Sequence, residues 1–260
     1  MAQKLNIAGI GLLLILMILS MTVSCESEPV IPPTTTEEPY PVNFYNPEAF
    51  YTEDGFLRYK EAPHMIGMDV SVYQGVIDWQ TVANSGVEFV IIRAGYRGST
   101  QGLLYEDEQF RYNLQGAKEA GLKVGVYFFS QAATAEEAEE EADYVCSLLD
   151  GAKLDLPVFY DWEYLDGRTG AIETVPLTLC AQSFCERIEA EGYQAGVYFN
   201  QTYGKLYFDL RELQDYCLWL AEYNPTPSFP YTFDCLQYTD SGAVEGIEGS
   251  VDLDILWLPQ

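Results

Sequence analysis

Histidine is almost missing from this chain: His64 is the single one among 260 residues. Serine and cysteine hydrolases need such a base beside the nucleophile, and no G-x-S-x-G turn is present, so that class of chemistry is set aside. Basic residues are scarce too, 13 Lys and Arg against 40 Asp and Glu, giving a net charge of −27. A nucleic-acid binder needs a cationic face, which excludes that role, and tight docking on an anionic membrane is disfavoured for the same reason. The acidic excess reads as solubilising surface charge. No two cysteines form a C-x-x-C pair, and with one histidine there is no zinc ligand set. The longest apolar run, Ile7 to Leu19, is short for a membrane-spanning helix.

What is present at the start reads as a targeting segment. Lys4, the Ile7–Leu19 run and the small residues after it predict a signal peptide over 1–24. Thr22-Val23-Ser24-Cys25 resembles a bacterial lipobox, which makes Cys25 the expected lipid attachment site; plain cleavage near Ser24 and an uncleaved anchor are the alternatives. Each version exports the chain, and a membrane-anchored cell-surface lipoprotein is expected. Segment 25–62 follows as a Pro/Thr-rich linker, with Pro29, Pro32, Pro33, Pro39 and Pro41 favouring an extended spacer, then a short hairpin turning at Asp54-Gly55. Cys146, Cys180, Cys185, Cys217 and Cys235 remain beyond Cys25, an odd number, and read as small core residues rather than a disulfide framework.

From residue 63 to 260 one rhythm repeats. A helix closes at a glycine and a buried strand follows: Gly86 before Val87–Ile92, Gly121 before Leu122–Phe129, Gly192 before Tyr193–Phe199. Phe110, Leu114 and Ala117 share one helical face, and Ala138, Ala142, Val145 and Leu149 another. Thr134 with Glu137 is a candidate capping box. Such alternation predicts a parallel sheet with right-handed crossovers. After Cys217 the helices run out: 217–223, 233–238 and 251–257 read as strands joined by short Pro/Gly-rich segments. Five strand–helix units plus three strands predict an α/β barrel of about eight strands with an incomplete helical jacket, of (β/α)5(β)3 type.

Two of these strands end in acids. Met65–Met68 leads into Asp69, and Leu156–Tyr160 leads into Asp161-Trp162-Glu163. A buried carboxylate is costly unless paired or hydrogen-bonded, so acids at strand ends point to a site at the carboxyl edge of the sheet. Asp161 and Glu163, two apart, face the same way at about 6–7 Å between Cα atoms. Asp252, before the last strand, neighbours the first strand if the barrel closes. Four crowded carboxyls push their pKa values apart, leaving an acid beside carboxylates, as glycoside hydrolysis requires. Tyr96, Tyr127, Phe129, Tyr198, Trp219 and Tyr223 cluster on the same strand ends, where sugar rings stack. An oxygen-only magnesium or calcium site is the rival use of the acids.

The segment M-I-G-M-D-V-S-V-Y-Q-G-V-I-D-W (65–79) resembles the opening of the family 25 glycoside hydrolases, the muramidase-type lysozymes. So do I-I-R-A-G-Y (91–96), G-V-Y-F-F-S (125–130), D-W-E (161–163), W-L-A-E-Y (219–223), Gln237-Tyr238 and G-S-V-D-L-D (249–254). The resemblance implies cleavage of the β-1,4 bond between N-acetylmuramic acid and N-acetylglucosamine. It implies Glu163 as general acid, with Asp69, Asp161 and Asp252 completing the acidic centre and Gln237 among the substrate-binding residues. Asp161 would assist the second half of the reaction, either by orienting the substrate's N-acetyl group or as base on water. The family often has His where Phe128 and Val72 stand here, which touches substrate preference rather than the reaction. A chitinase-like pattern would want acids where Phe159 and Pro157 stand. The alternative from another class is a non-catalytic, surface-tethered peptidoglycan-binding protein. Peptidoglycan glycan strands are the expected partner, the membrane is met only through the anchor, and a monomer without cofactor or metal is expected.

Overall fold

The structure, a computed structural model, describes residues 40–169, 174–224 and 226–258. The expected signal peptide, Cys25 and nearly all of the Pro/Thr-rich linker lie outside the described residues.

Strands β1 (Phe50–Glu53) and β2 (Phe56–Tyr59) form an antiparallel hairpin. Asp54 and Gly55 sit at φ of 53° and 85°, the left-handed pair that a two-residue hairpin turn demands. The barrel follows: β3 (His64–Val70), α1 (Trp79–Asn84), β4 (Phe89–Arg97), β5 (Leu104–Glu106), α2 (Phe110–Glu119), β6 (Lys123–Ser130), α3 (Ala135–Leu149), β7 (Val158–Trp162), α4 (Thr174–Ala190), β8 (Ala195–Asn200), α5 (Gln201–Leu206), β9 (Cys217–Ala221), β10 (Cys235–Gly242) and β11 (Val251–Trp257). Strands β3, β11, β10, β9, β8, β7, β6 and β4 pair in that order, and β4 pairs back onto β3, closing eight strands. Short β5 extends the end of β4 as a hairpin.

The sheet is mixed rather than parallel. From β3 through β10 the barrel pairs are parallel, but β11 runs antiparallel to both β10 and β3. The cause is the loop over 243–250, too short for a crossover helix, which returns the chain beside β10 as a hairpin. Asp252 lies within the last strand, where 251–257 was expected, and directly opposite Asp69.

Two cores result. Outward residues such as Ile66, Val90, Val126, Tyr160 and Val197 pack under the helices with Phe110, Val145 and Phe184. Inward residues fill the barrel: Met65, Phe89, Ile91, Phe159, Tyr198, Trp219 and Leu256. Glycines make room for the inward rings. A Cβ on Gly67 would stand 2.3 Å from the Phe89 ring, and one on Gly196 would stand 2.5 Å from Phe159. The helical faces fall where the periodicity places them, with Phe110, Leu114, Ala117, Ala138, Ala142, Val145 and Leu149 all buried. Thr134 caps α3 through the Glu137 N–H, but the Glu137 carboxylate reaches back to the N–H of Ala133, one residue short of a reciprocal box. The five described cysteines are free thiols.

Candidate active site

Alternation along the strands brings the acids together. Asp69 near the end of β3, Asp161 near the end of β7, Glu163 just past it and Asp252 on β11 all line one recess of about 210 Å³. Tyr127, Phe129, Tyr198, Trp219, Tyr223 and Gln237 line it as well. Tyr96 does not. It faces an adjoining groove of about 840 Å³, stacked on Tyr105 at 5.2 Å, and this groove meets the recess at Tyr73, Arg93 and Phe129. A register shift in β4 between Arg93 and Gly95 sets Tyr96 opposite Phe129, the residue shared by recess and groove.

Trp219 also departs from the expected role of an open stacking platform. It is 1 % exposed and is met edge-on by Tyr127, Phe159 and Tyr198, so it forms the floor of the recess. Half-exposed Tyr223 stands at the mouth, on a loop anchored by Glu222, whose carboxylate accepts from Asn224, Ser228 and Phe229. Phe128 points away from the recess into the helix-side core, against Tyr144. Whatever follows from Phe at this position is therefore not a direct contact in the recess.

Gln237 is the hub of the hydrogen bonding. Its Oε1 accepts from Tyr198 (3.0 Å) and Tyr223 (2.8 Å), which leaves its amide nitrogen to donate to Asp69 Oδ2 at 2.6 Å. Beneath lies Asp254, an inward acid absent from the sequence-derived set. It is fully buried and accepts from Trp219 Nε1 at 2.9 Å. The two-residue alternation from Asp252 was the available signal for it. Arg93, also missed, is the basic residue lining the recess. It donates to Asp107 Oδ2 at 2.8 Å, and Asp107 in turn accepts from the N–H of Val72 at 3.0 Å. That N–H opens a single 3₁₀ turn locked by a reciprocal Ser71–Gln74 box, which presents Tyr73, 83 % exposed, at the rim.

The acids hold their protons unusually strongly. Burial first, then the nearby Asp254 and Asp252 charges, push Asp69 well above the carboxylate range, while the bond from Gln237 opposes them. Asp161 is raised well above it by burial and by Glu163, with Arg93 pulling down. Glu163 is raised by burial and then by Asp252. Asp252 rises to about 6, again through burial first and Asp240 second. Asp254 is raised well above the range by burial, the bond from Trp219 opposing. Asp161 Oδ1 is buried and takes no hydrogen bond from the described residues. The recess thus crowds carboxyls that compete to ionise, so that one keeps a proton to give while a neighbour carries charge. Among the described residues no group of three His, Cys, Asp or Glu side chains is arranged to hold a metal ion.

Comparison with known proteins follows the same line. Residues 68–247 match the family model described as Glycosyl hydrolases family 25. An autolytic lysozyme of Clostridium acetobutylicum is 34% identical over 193 residues, 73% of this chain and 55% of that protein, so the chain spans about half the length of this relative. The bacterial lysozyme of Streptomyces coelicolor, a crystal structure, matches with a TM-score of 0.60 at 26% identity, covering 73% of this chain and 90% of the other. The modular autolysin LytC of Streptococcus pneumoniae, in complex with a synthetic peptidoglycan ligand, shares the fold with a TM-score of 0.68 at 24% identity, over 80% of this chain and 52% of that one.

Proposed function

The chain belongs to glycosyl hydrolases family 25, and from that premise we propose that it is a lysozyme. As an N-acetylmuramidase it hydrolyses the β-1,4 bond between N-acetylmuramic acid and N-acetylglucosamine in bacterial peptidoglycan. The observation that carries this reading is the convergence of Asp69, Asp161, Glu163 and Asp252 on one recess. Glu163 is the general acid. Its proton, retained through burial and the neighbouring Asp252, passes to the glycosidic oxygen as the bond from that oxygen to the sugar's C1 breaks. Positive charge develops at C1 and is met by the carboxylates facing it. Asp161, with a free acceptor oxygen, assists the second half. It orients the N-acetyl oxygen for attack on C1 or takes a proton from the incoming water; either way water's oxygen ends on C1. Tyr223 at the mouth and the Tyr96–Tyr105 stack in the adjoining groove supply aromatic faces for flanking sugars. We place this activity at the cell surface, with the barrel held through Cys25 by the Pro/Thr-rich spacer.

The test is digestion of purified peptidoglycan by the full-length chain and by its Glu163→Gln variant, with mass spectrometry of the reduced products. New reducing ends on N-acetylmuramic acid, formed far more slowly by the variant, are expected. Reducing ends on N-acetylglucosamine would reassign the bond. No product from several wall types would replace the enzyme with a peptidoglycan-binding protein.

A further inference from the structure

Glu163 stands where the sheet stops holding the chain. The pairing of β7 with β6 ends at Ser130 opposite Trp162, and its pairing with β8 ends at Asp161 opposite Tyr198. The peptide unit between Glu163 and Tyr164 lies beyond both ladders, and the residues after it, Tyr164 to Asp166, are exposed. A general acid needs its carboxyl held to within roughly half an ångström of the productive position. The sheet does not supply that hold.

Two side chains from neighbouring elements supply it. Gln131 Nε2 donates to the carbonyl of Glu163 at 2.7 Å, and the N–H of Tyr164 donates to the Tyr203 hydroxyl at 2.8 Å. The carbonyl and the N–H of one peptide unit are thus pinned from two directions. Both pins are themselves braced. Gln131 is fully buried, immediately after β6. Its Oε1 accepts from Thr169 Oγ1 at 3.0 Å, which orients the amide so that Nε2 faces the carbonyls of Glu163 and Ser130. Its own carbonyl accepts from Arg168 at 2.8 Å. Tyr203, on α5, sets its ring edge-on against Trp162 at 5.6 Å, so its hydroxyl is fixed relative to the last residue of β7. Neither residue lines the recess.

We propose that Gln131 and Tyr203 are positioning residues for Glu163, clamping the Glu163–Tyr164 peptide unit in place of the missing sheet ladder. The proposal rests on Glu163 being the general acid. Loosening the clamp lets the carboxyl drift from the glycosidic oxygen without altering how glycan is bound, so kcat and not KM carries the loss.

The experiment measures kcat and KM on purified peptidoglycan for the full chain, Tyr203→Phe, Gln131→Met, Glu163→Gln and the Tyr203→Phe/Glu163→Gln double variant, with melting temperatures for each. Tyr203→Phe keeps the ring on Trp162 and removes only the hydroxyl, so it decides the matter even where Gln131→Met fails to fold. Expected for Tyr203→Phe is a fall in kcat of roughly tenfold to a hundredfold, with KM and melting temperature near those of the unmodified chain. The double variant should be no slower than Glu163→Gln alone. Unchanged kcat in Tyr203→Phe, or a double variant slowed by the full Tyr203→Phe factor, overturns the clamp while leaving the muramidase reading intact. Absence of product from the unmodified chain overturns both.

Discussion

Replacing Arg97 with methionine should cost more stability at alkaline pH than at acid pH. Arg97 ends β4 and is 3 % exposed; Glu141, on α3, is 0 % exposed. The guanidinium donates to Glu141 Oε1 at 2.7 Å, to Glu140 at 2.8 Å, to the Glu137 carbonyl at 2.9 Å and to the Gly102 carbonyl at 2.7 Å. Removing one member of such a buried pair costs about 3–5 kcal/mol, because the other is left charged and unpartnered. In a domain of this size that lowers the melting temperature by roughly 6–20 °C. The sign with pH follows from Glu141. Burial pushes its carboxyl up to about 7 against the downward pull of Arg97. A carboxyl with a raised native pKa loses stability as pH climbs from the ordinary carboxylate range through that value. Without Arg97 the pull is gone, and the loss deepens and extends to higher pH. At about pH 5 Glu141 is protonated with or without Arg97, so only the other guanidinium bonds are missing. Urea unfolding at about pH 5 and about pH 8 gives the two deficits directly. Adding Glu141→Gln should restore much of the loss at the higher pH. Equal deficits at both pH values, or a loss below about 1 kcal/mol at the higher one, would refute the account of a buried ion pair.

Other perturbations read other parts of the molecule. The kcat profile should fall as pH rises through the raised pKa of Glu163, and Asp252→Asn, by removing a neighbouring charge that raises it, should move that alkaline limb to lower pH; a limb that stays or moves upward contradicts the assignment. Gly67→Ala drives a methyl to 2.3 Å from the Phe89 ring and should cost about 1–3 kcal/mol in chemical unfolding; a neutral outcome would mean the barrel interior has slack. Adding a thiol reductant should leave the unfolding curve unchanged, since the described cysteines are free, whereas a drop of about 2–4 kcal/mol would reveal a bridge.

Much of this architecture was legible beforehand because its signals are local. An apolar run ending in an acid marks Asp69 and Asp161, the Asp54-Gly55 pair marks the hairpin turn, and spacing marks the buried faces of α2 and α3. What was hidden depends on contacts between distant segments. The direction of β11 is set by a short return loop and by closure onto β3, neither of which has a periodic signature. Asp254 shares a face with Asp252, but its partner Trp219 lies two strands away on β9, and Trp219 reads from sequence as one more aromatic at a strand end. Tyr96 lines a groove beside the recess, and no strand pattern separates the two. Gln131 and Tyr203 carry no charge and belong to no motif; their role exists only because two elements deliver them to one peptide unit.

The strand pairing that closes the barrel also sets a clock. Asp252 and Asp254 ride on the last strand and Asp69 on the first. A chain growing on the ribosome already holds Asp69, Asp161 and Glu163 well before β11 exists to dock against β3. Until it docks, Asp252 is not there to keep Glu163 protonated, Asp69 has no carboxyl opposite it, and Trp219 has no Asp254 to bond. Pairing of elements so far apart in sequence is the slow part of folding. The seam is therefore a delay built into biosynthesis: on the proposed function, glycan cleavage is the last property the domain acquires, and a molecule cut short before β11 cannot have it.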